Sequence, residues 1–201
     1  MDTLTTIESR RSIKHYDPEH RMPEGDVRKL LSLAVLSPTS FNIQHWRFVH
    51  VQDAETRRML RAAAWGQAQV TDASMLLVIC GDLKAWEKET ERYWRDAPAA
   101  VAEMMVPMIG QFYEGREQVQ RDECMRSGAL AAQTLMLAAT DMGYGTSPMI
   151  GFDEEAVARI IELPHDHVIC MMLAIGKGTK EANPRGGQLP LDEVVVNDRF
   201  S

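Results

Sequence analysis

Cysteine is scarce in this chain of 201 residues, which contains three: Cys80, Cys124 and Cys170. They lie far apart and form no Cys-x-x-Cys pair, so the chain lacks both the spacing of a zinc site and the even count of a disulfide framework. An odd number of scattered cysteines is typical of a reducing compartment. Because Cys80 and Cys170 lie inside apolar runs, we expect buried, inert thiols.

Other absences narrow the possible functions. No apolar run reaches the ~20 residues that cross a bilayer, and the first twenty residues are polar, so we expect a cytoplasmic protein without membrane contact. A net charge of −7 argues against a nucleic-acid binder, which needs a basic face. There is no GxGxxG, HExxH or GxSxG motif, which argues against a Rossmann nicotinamide domain, a zinc protease and a hydrolase. The sequence His165-Asp166-His167 could hint at a metal site but is more typical of an ordinary loop.

Positive charge is concentrated in residues 9–16, which read Ser-Arg-Arg-Ser-Ile-Lys-His-Tyr. Three cations repel one another unless an anion lies among them, and phosphate oxygens match guanidinium groups and hydroxyls. Alone, such a cluster is more often a solvated helix end. A second segment, residues 37–48 (Ser-Pro-Thr-Ser-Phe-Asn-Ile-Gln-His-Trp-Arg-Phe), is dense in amides and hydroxyls. Together the two segments favour a ligand site.

These segments resemble two motifs of the nitroreductase family of FMN flavoproteins. The family has Arg-Arg-Ser-x-Arg/Lys-x-aromatic near its start, followed by Ser-Pro-Ser-Ser-x-Asn-x-Gln-Pro-Trp-x-Phe; His45 stands here where proline is usual. Residues 143–153 are similar to the family's flavin-edge loop, and residues 185–194 to its C-terminal phosphate segment. We call these the first, second, third and fourth motifs. They follow the family's order and span nearly the whole chain.

The resemblance implies an α+β nitroreductase fold, with a mixed central sheet flanked by helices. It also implies a homodimer with two FMN sites at its interface, formed by single domains (residues 1–201) whose C-terminal extension, residues 177–201, is exchanged with the partner. The residues themselves point to a partner too. A helix predicted over residues 124–142 is apolar almost all round and must be buried in a core or an interface. The alternative is a monomer in which this helix is simply the core.

Apolar periodicity predicts the remaining elements. Helices are expected over residues 4–11, 24–37, 55–65, 124–142 and 153–161, and strands over residues 46–51, 74–81 and 167–176. Thr3 or Thr5 is the predicted N-cap of the first helix, and Pro38 ends the second. Residues 84–115 are predicted to be helical, with interruptions at Pro98 and Pro107.

The resemblance also implies which groups hold FMN. Arg10 and Ser12 would contact the phosphate or the ribityl oxygens, Arg185 would close over the phosphate, and Arg11 would contribute mainly backbone. Lys14 would lie at the pyrimidine edge of the ring, where a cation raises the reduction potential of a flavin. The predicted cofactor-binding residues are Arg10, Arg11, Ser12, Lys14, Pro38, Thr39, Ser40, Asn42, Gln44, Gln69, Pro148, Met149, Ile150, Gly151, Arg185 and Gln188. No catalytic side chain and no metal ligand are predicted.

Some of these positions carry further expectations. Ser40, Asn42 and Gln44 would reach a flavin of the dimer, some of them from the partner subunit. Ile150 replaces a glutamate of many bacterial members and should make the site more apolar. Gln188 replaces a residue that is often basic, which leaves more of the phosphate affinity to Arg10 and Arg185.

The implied reaction is ping-pong hydride transfer from NADH or NADPH, through flavin N5, to a nitroaromatic, a quinone or a similar flat acceptor. The acceptor slot could be lined by aromatic residues of the 86–113 region, whose alternative role is packing: Trp86, Tyr93, Trp94, Phe112 and Tyr113. Other interpretations keep the fold and FMN but change the reaction to reductive dehalogenation, enone reduction or flavin fragmentation. Two more are a flavin storage or sensing protein and an acidic interaction module without a cofactor.

Overall fold

A computed structural model describes residues 1–200 and consists of a four-stranded sheet between helices. The helices are α1 (Thr3–Ser9), α2 (Glu24–Ala34), α3 (Ala54–Ala63), α4 (Gln69–Asp72), α5 (Ala99–Tyr113), α6 (Glu117–Asp141), α7 (Glu154–Ile160) and α8 (Leu191–Val194). The strands are β1 (Trp46–His50), β2 (Met75–Asp82), β3 (Gly145–Met149) and β4 (His167–Gly176). Short 3-10 helices cover Ser40–Asn42, Ala85–Glu87 and Thr90–Tyr93.

The strand order in the sheet is β1-β2-β4-β3, and all three neighbouring pairs run antiparallel. The prediction of a mixed sheet is therefore wrong for these strands. The connections β1–β2 and β3–β4 each start and finish at the same end of the sheet, which makes the paired strands antiparallel. Parallel pairing among residues 1–200 is confined to one isolated bridge between Ser12 and Thr146.

The two faces of β2 are buried against different helices. Leu76, Val78 and Cys80 belong to a core that includes Leu60 of α3 and Val157 of α7. The alternate residues Met75, Leu77 and Ile79 belong to a second core, which α2 and α6 complete. This double burial explains the continuous apolar run that predicted a central strand.

A third core cluster lies beside the sheet, between α5 and the segment that precedes β1. Its buried members are Ile43, Ala85, Trp86, Tyr93, Ile109 and Tyr113. It holds the polar second motif against the body of the chain.

Several predicted boundaries need correction. Asp2, rather than Thr3 or Thr5, caps α1, because its carboxylate accepts the backbone N–H of Thr5 at 3.0 Å. Pro98 precedes α5, but Pro107 lies inside it without ending it. Helix α6 begins at residue 117, before the predicted start at residue 124, because its first turns are polar and show no apolar period. Residues 145–149, predicted as a loop, form β3.

The prediction of a buried thiol is confirmed for Cys80, whereas Cys170 is less buried than predicted. Cys80 and Cys124 are buried and Cys170 is half-buried, and all three are free thiols. Burial raises the pKa of each to about 12, so the reactive thiolate is rare at neutral pH.

Among the described residues, none of the helices combines the length and the hydropathy that a membrane span requires.

Candidate functional site

The first and third motifs lie side by side. The backbone N–H of Ile13 donates to the carbonyl of Thr146 in β3 at 2.8 Å, next to the Ser12–Thr146 bridge. Gly145 permits this close approach, because a Cβ there would lie 2.7 Å from Cγ1 of Ile13. The edge of the sheet at β3 is therefore covered by the basic segment of the first motif.

The side chains along this contact are polar. Lys14 Nζ donates to Ser147 Oγ at 3.2 Å. The Oγ1 atom of Thr146 is buried and has no hydrogen-bond partner among residues 1–200. Unpaired buried polar atoms are uncommon in native structures and require an explanation, such as a missing ligand or water. The sequence patterns did not single out Thr146 or Ser147 individually.

The fourth motif joins the same place. Arg185 Nη2 donates to the carbonyls of Glu8 at 2.9 Å and of Arg10 at 3.4 Å. The Arg11 guanidinium donates to the carbonyl of Asn183. The first, third and fourth motifs thus form one surface, which we call the cationic half-site. Gln188 is exposed on the same C-terminal segment.

The cations of this half-site have no acidic partners. Within residues 1–200, neither Arg10, Arg11, Lys14 nor Arg185 forms an ion pair. Guanidinium forks and an ammonium group together suit an anion with several oxygens. The residues present therefore fit the phosphate of FMN.

The end of β3 presents backbone and apolar groups. Ile150 is 79% exposed and Trp65 is 73% exposed, and a Cβ on Gly151 would lie 3.3 Å from the Trp65 ring. Gln67 Nε2 donates to the Gly151 carbonyl at 2.8 Å, and its Oε1 accepts from Gln69 at 2.9 Å. Gln69 is buried, so the side-chain amide of Gln67 is the one that contacts the segment after β3. Sequence reasoning missed Trp65 and Gln67, which carry no motif of their own.

The second motif lies elsewhere in the chain. It precedes β1, at the opposite edge of the sheet from β3, so two intervening strands separate the edges by about 14 Å at ~4.8 Å per step. The start of β3 lies at the other end of the strands, since Trp46 is level with Gly81 and Val168 whereas Gly145 is level with Gly176. One chain therefore does not bring all the predicted cofactor residues together.

The backbone of the second motif is unusual. Phe41, Asn42 and Gln44 have positive φ values of 52°, 57° and 54°. Asparagine adopts this left-handed region readily, but phenylalanine and glutamine do so at a cost. Backbone strain of this kind concentrates at functional sites.

Three hydrogen bonds hold this loop in shape. Asn42 Nδ2 donates to the Tyr93 carbonyl at 2.7 Å, and the backbone N–H of Gln44 donates to Thr39 Oγ1 at 3.0 Å. The backbone N–H of Ser40 donates to a Glu123 oxygen at 3.2 Å. Asn42 and Thr39 thus shape the loop, and Ser40 and Gln44 remain available to a ligand. Pro38 lies at its start.

His45, which stands in place of the usual proline, is buried behind this loop. Its Nδ1 lies 3.3 Å from Ser127 Oγ, and its Nε2 has no partner among the described residues. Burial lowers the pKa of His45 to about 4, against smaller opposing effects of Glu123 and Asp82. The ring is therefore neutral at pH 7.

The aromatic candidates for the acceptor slot mostly pack instead. Trp86, Tyr93 and Tyr113 are buried in the third core cluster, so they do not line an open face in this chain. Trp94 packs against the same cluster, and Phe112 is 38% exposed. Of the five, Phe112 is the one with substantial accessible surface.

The possible metal cluster is an ion-pair network. Ligand atoms of Asp82, Asp166 and His167 lie within 4.8 Å of one another. Lys88 Nζ donates to Asp82 at 2.9 Å and to Asp166 at 2.7 Å. Its ammonium group is therefore the cation that both carboxylates face. Bonds from Lys88 and His167 lower the pKa of Asp166 to about 2.

Comparison with known proteins agrees with this arrangement. The sequence profile described as "Nitroreductase family" matches residues 7–177. The chain belongs to the nitroreductase family. It is 47% identical to protein DrgA of Synechocystis over 200 residues, which cover 97% of this chain and 95% of DrgA. It is 35% identical to Bacillus subtilis MhqN, provisionally named an NAD(P)H nitroreductase, over 94% of this chain and 95% of MhqN.

A solved structure of the nitroreductase family confirms the fold. The crystal structure of a provisionally named nitroreductase from Exiguobacterium sibiricum, in complex with FMN, has a TM-score of 0.90 and 29% identity. The match covers 98% of this chain and 97% of that one. The α+β nitroreductase fold that the motifs predicted is therefore confirmed.

Proposed function

We propose that this chain is an FMN-dependent NAD(P)H oxidoreductase that reduces nitroaromatics, quinones or similar flat acceptors. One observation carries the proposal: three motifs that are distant in sequence converge on a surface whose cations form no ion pair among residues 1–200. The provisional naming of MhqN as an NAD(P)H nitroreductase and the FMN complex of the Exiguobacterium protein support it.

Each group of the cationic half-site has a role in this proposal. Arg10 and Arg185 neutralise the phosphate, and Ser12 bonds to it or to a ribityl hydroxyl. Lys14, held by Ser147, places a positive charge at the pyrimidine edge. The backbone of residues 148–151 faces the reacting edge, and exposed Ile150 and Trp65 exclude water from it. Bound FMN would supply the chemistry by accepting a hydride and passing it on.

We further propose that the functional unit is a homodimer, because one chain separates the second motif from the cationic half-site. Leu36 on the loop after α2 is 75% exposed and Leu130 on α6 is 45% exposed. The two residues lie near each other, since Ser37 Oγ is 2.8 Å from Oγ1 of Thr134, one turn after Leu130. A two-fold pairing through this apolar surface would bury it and bring the second motif of one chain to the half-site of the other.

The C-terminal extension fits the same proposal. Among residues 178–200 the structure has one helix, the short α8, and one isolated bridge from Gly178 to Tyr16. Leu189, Leu191, Val195 and Phe200 are 56% to 89% exposed. Strand β1 is an edge strand, whereas the β3 edge is covered by the first motif. We propose that residues 177–201 extend from a single domain to the partner, where the open edge of β1 can pair with a further strand.

The reductant would approach past the second motif. Gln44 lines a cavity of about 370 Å³ together with Trp46, Arg47, Arg92, Tyr93 and Arg95. Arg92 has no carboxylate partner among the described residues and stacks on the Tyr93 ring at 4.9 Å. Arg47 and Arg95 are paired with Asp82 and Asp96. We therefore propose that Arg92 binds phosphate oxygens of NADH or NADPH while the nicotinamide is at the flavin.

The first test is an anaerobic visible spectrum of the purified protein, before and after adding NADH and then NADPH. Flavin bands that bleach within the turnover time support the proposal, and the faster donor identifies the preferred reductant. Bands that persist favour a flavin storage or sensing protein. A colourless protein that does not take up added FMN contradicts the proposal. Rapid bleaching without reduction of nitroaromatics or quinones favours another reaction on the same fold.

A further inference from the structure

A cavity of about 470 Å³ lies outside the proposed flavin site. It opens between the loop of residues 18–22, the start of α2, the end of β1 and the starts of α3 and β2. None of the predicted cofactor residues lines it. Its volume falls in the ~300–1,000 Å³ range of small-molecule sites.

Arg57 is the most buried cation of this cavity. Its guanidinium donates to three backbone carbonyls: those of Val51 at 2.9 Å, Ala73, and Ser74 at 3.3 Å. No carboxylate lies within ion-pair distance among residues 1–200. A guanidinium has five N–H groups, so some remain free for a ligand. A half-buried charge that only carbonyl dipoles compensate is costly, and an anion would relieve that cost.

A second unpaired cation lines the same cavity. Arg21 donates to the carbonyls of Pro18 at 2.6 Å and His20 at 3.4 Å, and forms no ion pair among the described residues. Arg21 lines this cavity together with Arg57, and its charge is the second cause, after burial, of the lowered pKa of Arg57.

The other charges at the cavity are already paired. Glu24 bonds to Arg28 at 2.7 Å, and Arg58 is paired with Glu55. Arg21 and Arg57 therefore leave the cavity positive, in a chain whose net charge is −7.

The remaining walls define what the anion carries. Met22, Val27, Ala54 and Ala73 are apolar. His50 and Gln52, whose Nδ1 and Nε2 atoms lie 3.2 Å apart, add neutral polar groups. We propose that this cavity binds a small organic anion, with its carboxylate or phosphate between Arg21 and Arg57 and a compact apolar body against Met22 and Val27. The proposal does not depend on the flavin function.

The test uses the flavin-loaded protein with benzoate and phenyl phosphate as probes and benzyl alcohol as the uncharged control. We expect binding of at least one anion by calorimetry, a shift of the His50 ring protons in the NMR spectrum, and an unchanged flavin absorption spectrum. Benzyl alcohol should bind at least about tenfold more weakly, because it forms no charge-assisted bonds.

Two variants locate the site. Arg21→Gln should weaken anion binding by about tenfold or more, and it should fold normally because Arg21 is exposed and bonds only to its own loop. Lys29→Gln, which removes an exposed charge of α2 that neither lines the cavity nor forms an ion pair among residues 1–200, should leave binding unchanged. The proposal is overturned if neither anion binds at millimolar concentration, if Arg21→Gln binds as tightly as the unaltered protein, or if binding instead changes the flavin spectrum.

Discussion

At the scale of single residues, the proposed flavin site depends on cations that form no ion pair among residues 1–200. Lys14 bonds to Ser147, Arg185 bonds to the backbone of Arg10, and the three cations Arg10, Lys14 and Arg185 form no ion pair among residues 1–200. Surface cations are usually solvated and contribute little to the free energy of unfolding. A role for these three cations should therefore appear in ligand affinity rather than in stability.

Removal of Arg10 tests the proposed phosphate contact. Arg10→Ala should weaken FMN affinity by about 10- to 100-fold, because a hydrogen bond to a charged group contributes about 1.5–3 kcal/mol. Fluorescence titration of the apoprotein with FMN measures this. Arg28→Ala, which removes an exposed arginine on α2, is the matched control and should leave affinity unchanged; equal affinities for both variants would refute the assignment.

Substitution of Lys14 tests how its charge affects the flavin ring. Lys14→Met keeps the length of the side chain but removes its charge, and should lower the two-electron reduction potential of bound flavin by about 30 mV or more, equivalent to about 1.4 kcal/mol. Potentiometric titration against a reference dye provides the measurement. An unchanged potential would place Lys14 away from the pyrimidine edge.

His45 predicts a pH dependence of stability. Its folded pKa of about 4 lies below the ordinary value of 6.5, so the unfolded chain binds more protons between these values. The free energy of unfolding should therefore fall as pH drops from about 6.5 to about 4, with a contribution of up to about 3 kcal/mol from this residue. Urea unfolding of His45→Gln should show a shallower decline than the unaltered protein. Parallel pH profiles for the two would show that His45 is not the titrating group.

At the scale of elements, apolar runs in the sequence predicted the positions of the two central strands, β2 and β4. Strand β4 was predicted at its observed bounds, and β2 within one residue, because both are enclosed by helices and read as apolar runs. Strand β3 was missed because Gly145 and Pro148, two residues that are unfavourable in strands, lie within its five residues. Periodicity could not show that Arg185 meets Arg10, since that contact depends on how distant segments pack.

Helix α6 approaches β4 so closely that one position tolerates only glycine. A Cβ on Gly128 would lie 2.5 Å from Cys170 Sγ, so Gly128→Ala should destabilise the fold by about 1–3 kcal/mol through overpacking, despite its better helix propensity. Thermal unfolding gives the result. Gly110→Ala in α5, where nothing lies within 4 Å, is the control and should be neutral or slightly stabilising. Similar melting temperatures for both variants would contradict the packing described.

At the scale of the whole molecule, the placement of the motifs is the basis of the proposed homodimer. The cationic half-site and the second motif lie at opposite edges of one sheet, and exposed leucines mark a surface between α2 and α6. Leu130→Lys should shift the protein from dimer to monomer in light scattering and lower its flavin content. Met59→Lys, with a similar exposure on α3, should remain dimeric with full flavin; a dimeric, flavin-loaded Leu130→Lys variant would contradict the proposed interface.

Complementation between two defective chains tests directly whether each flavin site is formed by residues of two subunits. One chain carries Arg10→Ala and Lys14→Ala in the half-site, the other Ser40→Ala and Gln44→Ala in the second motif, and each alone should bind FMN poorly. A heterodimer isolated through two different tags combines both defects in one site and leaves the other intact. We predict one tightly bound FMN per heterodimer. A heterodimer with no more flavin than its parents would show that a single chain forms the whole site.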